Sequence, residues 1–170
     1  MKSKKLTSLL TLLLAVYASG SMAQSTEDNV PTSLPDGYHL VWNDEFSING
    51  RPDPSNWSFE EGFVRNHEWQ WYQSDNAIVH DGSLIITARE ERRPNPTYKE
   101  GSKKWGEQRK QIECTSACVI SKEKREFLYG RFLIRARIPA ARGSWPAIWL
   151  LGQKKEYGWP HCGEIVIMEF

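Results

Sequence analysis

Cysteine and histidine are scarce, at three and four in 170 residues. No CxxC pair and no histidine cluster accompanies Cys114, Cys118 or Cys162, which leaves a zinc site without support. The odd count leaves at least one thiol unpaired in an exported chain. Four residues apart on one extended strand, Cys114 and Cys118 would stand about 13 Å from each other, beyond disulfide reach. Either could meet Cys162 on another strand, and three free thiols fit equally. Neither charge sign dominates, with 22 Lys and Arg against 21 Asp and Glu. No basic stripe marks a nucleic-acid partner, and the mixed tract from Glu90 to Lys110 reads as a solvated loop. No helical period of useful length is present. The apolar run Leu9 to Tyr17 is too short for a comfortable membrane span.

That run has a different use. Lys2, Lys4 and Lys5 precede it, and the small-residue site Ser21-Met22-Ala23 follows it, the pattern of a secretory signal peptide over residues 1–23. The product is expected to be secreted or periplasmic and to begin at Gln24. No cysteine stands at the cleavage point, so no lipid anchor and no stable membrane anchor are expected. Cleavage removes three lysines and no acid, taking the net charge from +1 to −2. Residues 24–36 are polar, contain Pro31 and Pro35, and read as a flexible leader.

Abundant aromatics stand out from there on: eight Trp, six Tyr and six Phe. Aromatic rings stack on the apolar faces of sugars, so the count fits a carbohydrate site. Tyr38 to Phe46 reads as a strand packing Val41, Trp42 and Phe46, and Ile48 to Trp57 as a turn-rich stretch around Asn49-Gly50. In Asn66 to Tyr72, the spacing puts Trp69 and Trp71 on one buried face. Ala77–His80, Asp81-Gly82 and Ser83 to Glu90 form a hairpin, with Asp-Gly supplying positive φ angles. Arg92 to Glu107 is a polar insertion, a cleft rim or a mobile loop, with Trp105 as a local anchor. Gln111 to Ser121 is a further strand. Phe127 to Ile138 alternates most clearly: Leu128, Phe132, Ile134, Ala136 and Ile138 make a core face. Tyr129, Arg131, Leu133, Arg135 and Arg137 make the other. Gly143 to Gly152 opens a strand carrying Trp145 and Trp149 at the same parity. Strands separated by turns argue for an all-β sandwich.

The last stretch, Gly163 to Phe170, concentrates the chemistry. Ile165 and Ile167 alternate with Glu164 and Val166, as in a half-buried strand. Glu169 lies five residues from Glu164, an odd step that sends the two carboxylates to opposite faces of a regular strand. A β-bulge near Met168 would return them to one face. Two carboxylates about 5–5.5 Å apart are what a retaining glycosidase uses.

Gly-Glu-Ile-Val-Ile-Met-Glu-Phe resembles the active-site strand of glycoside hydrolase family 16. Residues 42–46, the Asn66 to Tyr72 segment, Gly130-Arg131-Phe132 with Arg135, and Gly143 to Trp149 match further family motifs in order, from about Tyr38 to Phe170. The resemblance implies a jelly-roll β-sandwich, with Glu164 as nucleophile and Glu169 as acid/base. It implies Asn66, Arg135, Trp145 and Trp149 as substrate-binding residues. The substrate implied is β-1,3- or mixed-linkage β-1,3/1,4-glucan, cut internally. A sulfated-galactan hydrolase of the same family, with Arg131, Arg135 and Arg137 facing sulfate, is the alternative, as is a non-catalytic carbohydrate-binding relative. No cofactor is implied; a structural calcium ion is compatible with the pattern but not indicated. Two positions depart from the family: Val166 stands where its Asp lies between the two Glu, and Leu133 replaces a cleft Glu. The family continues past this strand, so residues 37–170 are expected to supply the N-terminal part of an incomplete domain.

Overall fold

The computed structural model describes residues 34–153 and 156–170. The expected signal peptide and most of the leader lie outside the described residues. The chain divides into two units after Leu40. The described part of the first, from Leu34, holds one turn, with the Tyr38 N–H donating to the Pro35 carbonyl at 3.0 Å.

In the second unit, the first strands are short and the hairpin is where Asp-Gly puts it. β1 (Ser58–Phe59) pairs antiparallel with β7 (Val119–Ile120). β3 (Ala77–His80) and β4 (Ser83–Ile86) pair from Ala77↔Ile86 to His80↔Ser83. Asp81 and Gly82 between them sit at φ 48° and 69°, the two positive angles of a type I′ turn. β3 buries Ala77 and Val79 and exposes Ile78 and His80, as a period of two requires.

The largest sheet runs β2–β6–β5. β6 (Gln111–Ser116) lies between β2 (Gln70–Tyr72), parallel to it, and β5 (Arg89–Pro94), antiparallel to it. The core beneath it holds Ile112, Trp71, Ala77 and Val79, together with buried Asn76 and Thr115. The pair is bonded through the Asn76 amide nitrogen and the Thr115 hydroxyl, while Asn76 Oδ1 is buried without a partner among the described residues. Asn76 Nδ2 donates to the Thr87 carbonyl at 2.7 Å and to Thr115 Oγ1 at 3.0 Å, and Thr115 donates to Glu91. The Arg92–Glu107 insertion is tied down. Buried Asn95 donates to the carbonyls of Gly106 and Arg109, at 2.9 and 2.7 Å. One helical turn, α1 (Trp105–Gln108), closes it, and Trp105 stacks on His67 with centroids 4.8 Å apart.

Four expectations fail. The tract from Glu90 to Lys110 is not all loop, since Arg89–Pro94 is β5, paired with β6, and Trp105–Gln108 is α1. Tyr38–Phe46 is not a strand. Trp42 and Phe46 do pack, against Trp57, but Val41 is exposed. Phe127–Ile138 is not a strand either, and its apolar face is no core: Leu128 is 85% exposed. The chain bends at Leu128–Tyr129, Gly130 sits at φ 147°, and no strand among the described residues pairs with the segment. Alternation encourages an extended chain, but a strand needs a neighbour for its N–H and C=O groups. Finally, Trp69 and Trp71 do not share a buried face. Trp71 is 8% exposed and Trp69 is 67% exposed, because β2 starts at Gln70 and the pleat does not extend back to Trp69.

Candidate active site

β8 (Ala147–Leu151) and β9 (Glu164–Glu169) form an antiparallel pair rich in β-branched and aromatic residues. Such side chains favour a pleated surface. Leu151, Leu150 and Trp149 face Glu164, Ile165 and Val166; Ile148 and Ala147 face Met168 and Glu169. Ile167 has no partner, so β9 carries one extra residue there. The expected bulge exists, one position before Met168. Its effect follows from the register. Ala147 and Leu151 are four residues apart on β8, hence on one face, and directly opposed residues share a face. Glu164 and Glu169 therefore project from the same face, with Val166 and Trp149 between them.

An indole N–H holds each carboxylate. Trp145 Nε1 donates to Glu169 Oε1 at 2.8 Å, and Trp159 Nε1 donates to Glu164 Oε2 at 3.1 Å. Each bond orients one oxygen of its Glu. Trp145 was a sequence candidate as a sugar platform. Trp159 was missed, since it lies on the connection between the strands and no periodicity singles it out.

The second missed residue is Arg65. Its guanidinium pairs with Glu60 and lies 5.7 Å from the Tyr72 ring centroid and 5.3 Å from that of Trp149. Burial works against its charge, but the Glu60 carboxylate more than offsets this and raises its pKa. Arg65 thus joins the Asn66–Tyr72 segment to β8. Burial pushes the neighbouring Cys118 thiol up to about 12, with Glu60 adding to the effect. All three cysteines are free.

Asn66 and His67 hold left-handed angles, φ 52° and 56°. Asn66 Nδ2 donates to Glu68 Oε1 at 3.3 Å. Glu68 Oε2 accepts from Gln70 Nε2 at 2.6 Å and from the Tyr72 hydroxyl at 2.9 Å. Burial first, then the Glu68 charge, raises the Tyr72 pKa. The alternating polar residues of this segment are thus one bonded row along β2. Trp149 is brought to the row through Arg65. Arg135 is exposed and makes no side-chain hydrogen bond or ion pair among the described residues. No group of three or more His, Cys, Asp or Glu is placed to hold a metal ion among them. No described helix is long and apolar enough to cross a membrane.

No family model matches the chain. It is 39% identical over 178 residues to a beta-glucanase of Rhodothermus marinus, an alignment covering 99% of this chain and 55% of that protein. It is 31% identical over 146 residues to a keratan-sulfate endo-1,4-beta-galactosidase of Sphingobacterium multivorum, covering 83% of this chain and 31% of that one. A solved structure from work on endo-acting O-glycanases of the human gut microbiota, which initiate mucin breakdown, superposes with a TM-score of 0.74 at 39% identity. That match covers 82% of this chain and 50% of the other. The strands are thus part of a jelly-roll β-sandwich of the kind that glycan-cleaving domains are built on. Within that class, the chain is similar to a solved non-specific endo-beta-1,3(4)-glucanase from glycoside hydrolase family 16, at 32% identity and a TM-score of 0.64, over 82% of this chain and 50% of that one. It spans about half the length of the first curated relative it matches.

Proposed function

We propose that this chain is the N-terminal part of an exported, endo-acting, retaining hydrolase of β-1,3- or mixed-linkage β-1,3/1,4-glucan. The observation that carries it is the bulge at Ile167, which puts Glu164 and Glu169 on one face. Four pleat positions are about 13 Å of strand. The two long side chains must therefore lean toward each other above Val166 to reach the about 5–5.5 Å of a retaining pair.

The Glu169 carboxyl gives its proton to the glycosidic oxygen while the Glu164 carboxylate attacks the anomeric carbon, and the C–O bond to the leaving sugar breaks. The Glu169 carboxylate then takes a proton from water. The oxygen of that water displaces Glu164 from the anomeric carbon and frees the enzyme. Trp145 and Trp159 orient the two acids. Arg65, next to Asn66 in the chain, reaches Trp149 with 5.3 Å to the ring centroid, and the family resemblance adds Arg135 as a substrate-binding cation. The relative that is a beta-glucanase supports the substrate. The signal-peptide pattern supports export to a secreted or periplasmic site.

The test uses the full-length protein. Its first product, followed by proton magnetic resonance, is expected in the β form. Glu169→Ala should lose polysaccharide hydrolysis, keep more activity on an activated aryl glycoside, and yield a β-glycosyl azide with azide present. An α first product would overturn the pair assignment. A second reading, cleavage of sulfated galactan, has its own support. Arg131, Arg135 and Arg137 are exposed without acidic partners among the described residues, and one relative is a keratan-sulfate galactosidase. Faster turnover of keratan sulfate than of β-glucan would favour it. Glucan binding without turnover, even with Asp at position 166, would favour a binding relative.

A further inference from the structure

Trp69 is a large aromatic residue that is 67% exposed, while Trp71, two positions on, supplies the buried anchor of the segment. Arg109 fixes it from beneath. The Arg109 guanidinium donates to three consecutive carbonyls: His67 at 2.8 Å, Glu68 at 2.8 Å and Trp69 at 3.3 Å. Its central carbon lies 5.4 Å from the Trp69 centroid, 4.7 Å from Phe63 and 5.2 Å from Trp105. The carbonyl of Arg109 is itself held by buried Asn95. Asn66 and His67, just before, keep left-handed angles that are unfavourable without glycine. The contacts that close this segment also leave the Trp69 side chain exposed above a fixed backbone, a surface able to meet a ligand without rearranging.

We propose that Trp69 is a sugar-stacking platform, a carbohydrate-binding position on the segment before β2 rather than on β8 or β9, and held by Arg109. This rests on the reading that the protein acts on a polysaccharide. A cation over one face of an indole leaves the opposite face to be filled. The C–H face of a pyranose suits it, being apolar with a positive edge against the negative π cloud. Trp69 stands before β2, in the β2–β6–β5 sheet, and not on the strands that carry the two Glu.

Affinity electrophoresis of the full-length protein reads this without catalysis. Glu164→Gln is placed in every sample so that the gel is not digested. The gels contain β-1,3-glucan, mixed-linkage β-glucan or keratan sulfate. The background protein is expected to be retarded in at least one gel. Adding Trp69→Ala should weaken that binding about tenfold, the size of one good aromatic contact. Trp69→Phe should keep most of it. Equal retardation of Trp69→Ala and its background, or no retardation of the background in any gel, would overturn the platform. A protein that binds through Trp69 but never hydrolyses would fail the proposed catalysis and leave the platform standing.

Discussion

Val166 lies between two carboxylates on one face and is 47% exposed. It offers neither charge nor hydrogen bond to either. A carboxylate there would be a close like charge, and close like charges push pKa values apart, separating the acid of a pair from its base. Val166→Asp in the full-length protein is therefore expected to raise kcat on β-glucan by about tenfold or more. KM should change little, since the group acts on the reacting pair. Reducing-sugar kinetics decide this, and an unchanged kcat with an intact fold would remove Val166 from the catalytic argument. Cys118 carries a prediction of another kind. Burial keeps its thiol protonated up to about pH 12, while the ordinary value is 9.0. The unfolded chain releases that proton first, so it binds fewer protons than the folded one between those values. Stability from this group is full below about pH 9 and falls as pH rises toward 12. Urea midpoints at pH 8 and pH 10 should fall less in Cys118→Ala than in the parent. An identical fall would place the loss on other groups, Tyr72 among them.

At the scale of elements, β9 depends on one residue. Inserting one residue between Ile148 and Trp149 gives Ile167 a partner and leaves a regular ladder between β8 and β9. Glu164 and Glu169 would then project from opposite faces. Hydrolysis is expected to vanish while the far-ultraviolet dichroism of the full-length protein stays the same; residual turnover near the parental rate would contradict the shared-face argument. Arg65 ties two elements together. Replacing it with Met removes the stack on Trp149 and leaves Glu60 half-buried without its cation. An unpaired, half-buried carboxylate and the lost stack should cost about 1–3 kcal/mol. Chemical denaturation measures it, and Glu60→Gln combined with Arg65→Met should recover part of the loss.

At the scale of the molecule, many large apolar side chains are exposed among the described residues. Leu128, Tyr129, Ile134, Ile165 and Phe170 are all exposed among the described residues. Among the described residues the strands lie in four small sheets. Surfaces of this kind associate unless covered, and unpaired strand edges recruit other chains. Residues 24–170 expressed alone are expected to aggregate or to melt without a cooperative transition. The full-length protein should be a soluble species that melts cooperatively. Size-exclusion chromatography and a thermal melt compare the two. A soluble monomer of 24–170 with a sharp transition would show that these ladders suffice.

Local chemistry made much of this protein legible. Asp81-Gly82 specifies its turn because φ > 0 is required at both positions. The odd spacing of Glu164 and Glu169 demanded a bulge, since a strand has only two faces. The ordered family motifs named the fold and the candidate pair. Other features depend on what lies opposite in space. Phe127–Ile138 alternates as a strand should, but pairing needs a partner that its own residues cannot supply. Trp69 and Trp71 share a spacing, yet only the start of β2 at Gln70 decides which is buried. Arg65 reaches Trp149, Trp159 reaches Glu164 and Arg109 reaches three carbonyls across gaps of 84, 5 and 40–42 residues. A side chain's partner across a long gap is chosen by packing, and no period in the sequence records it.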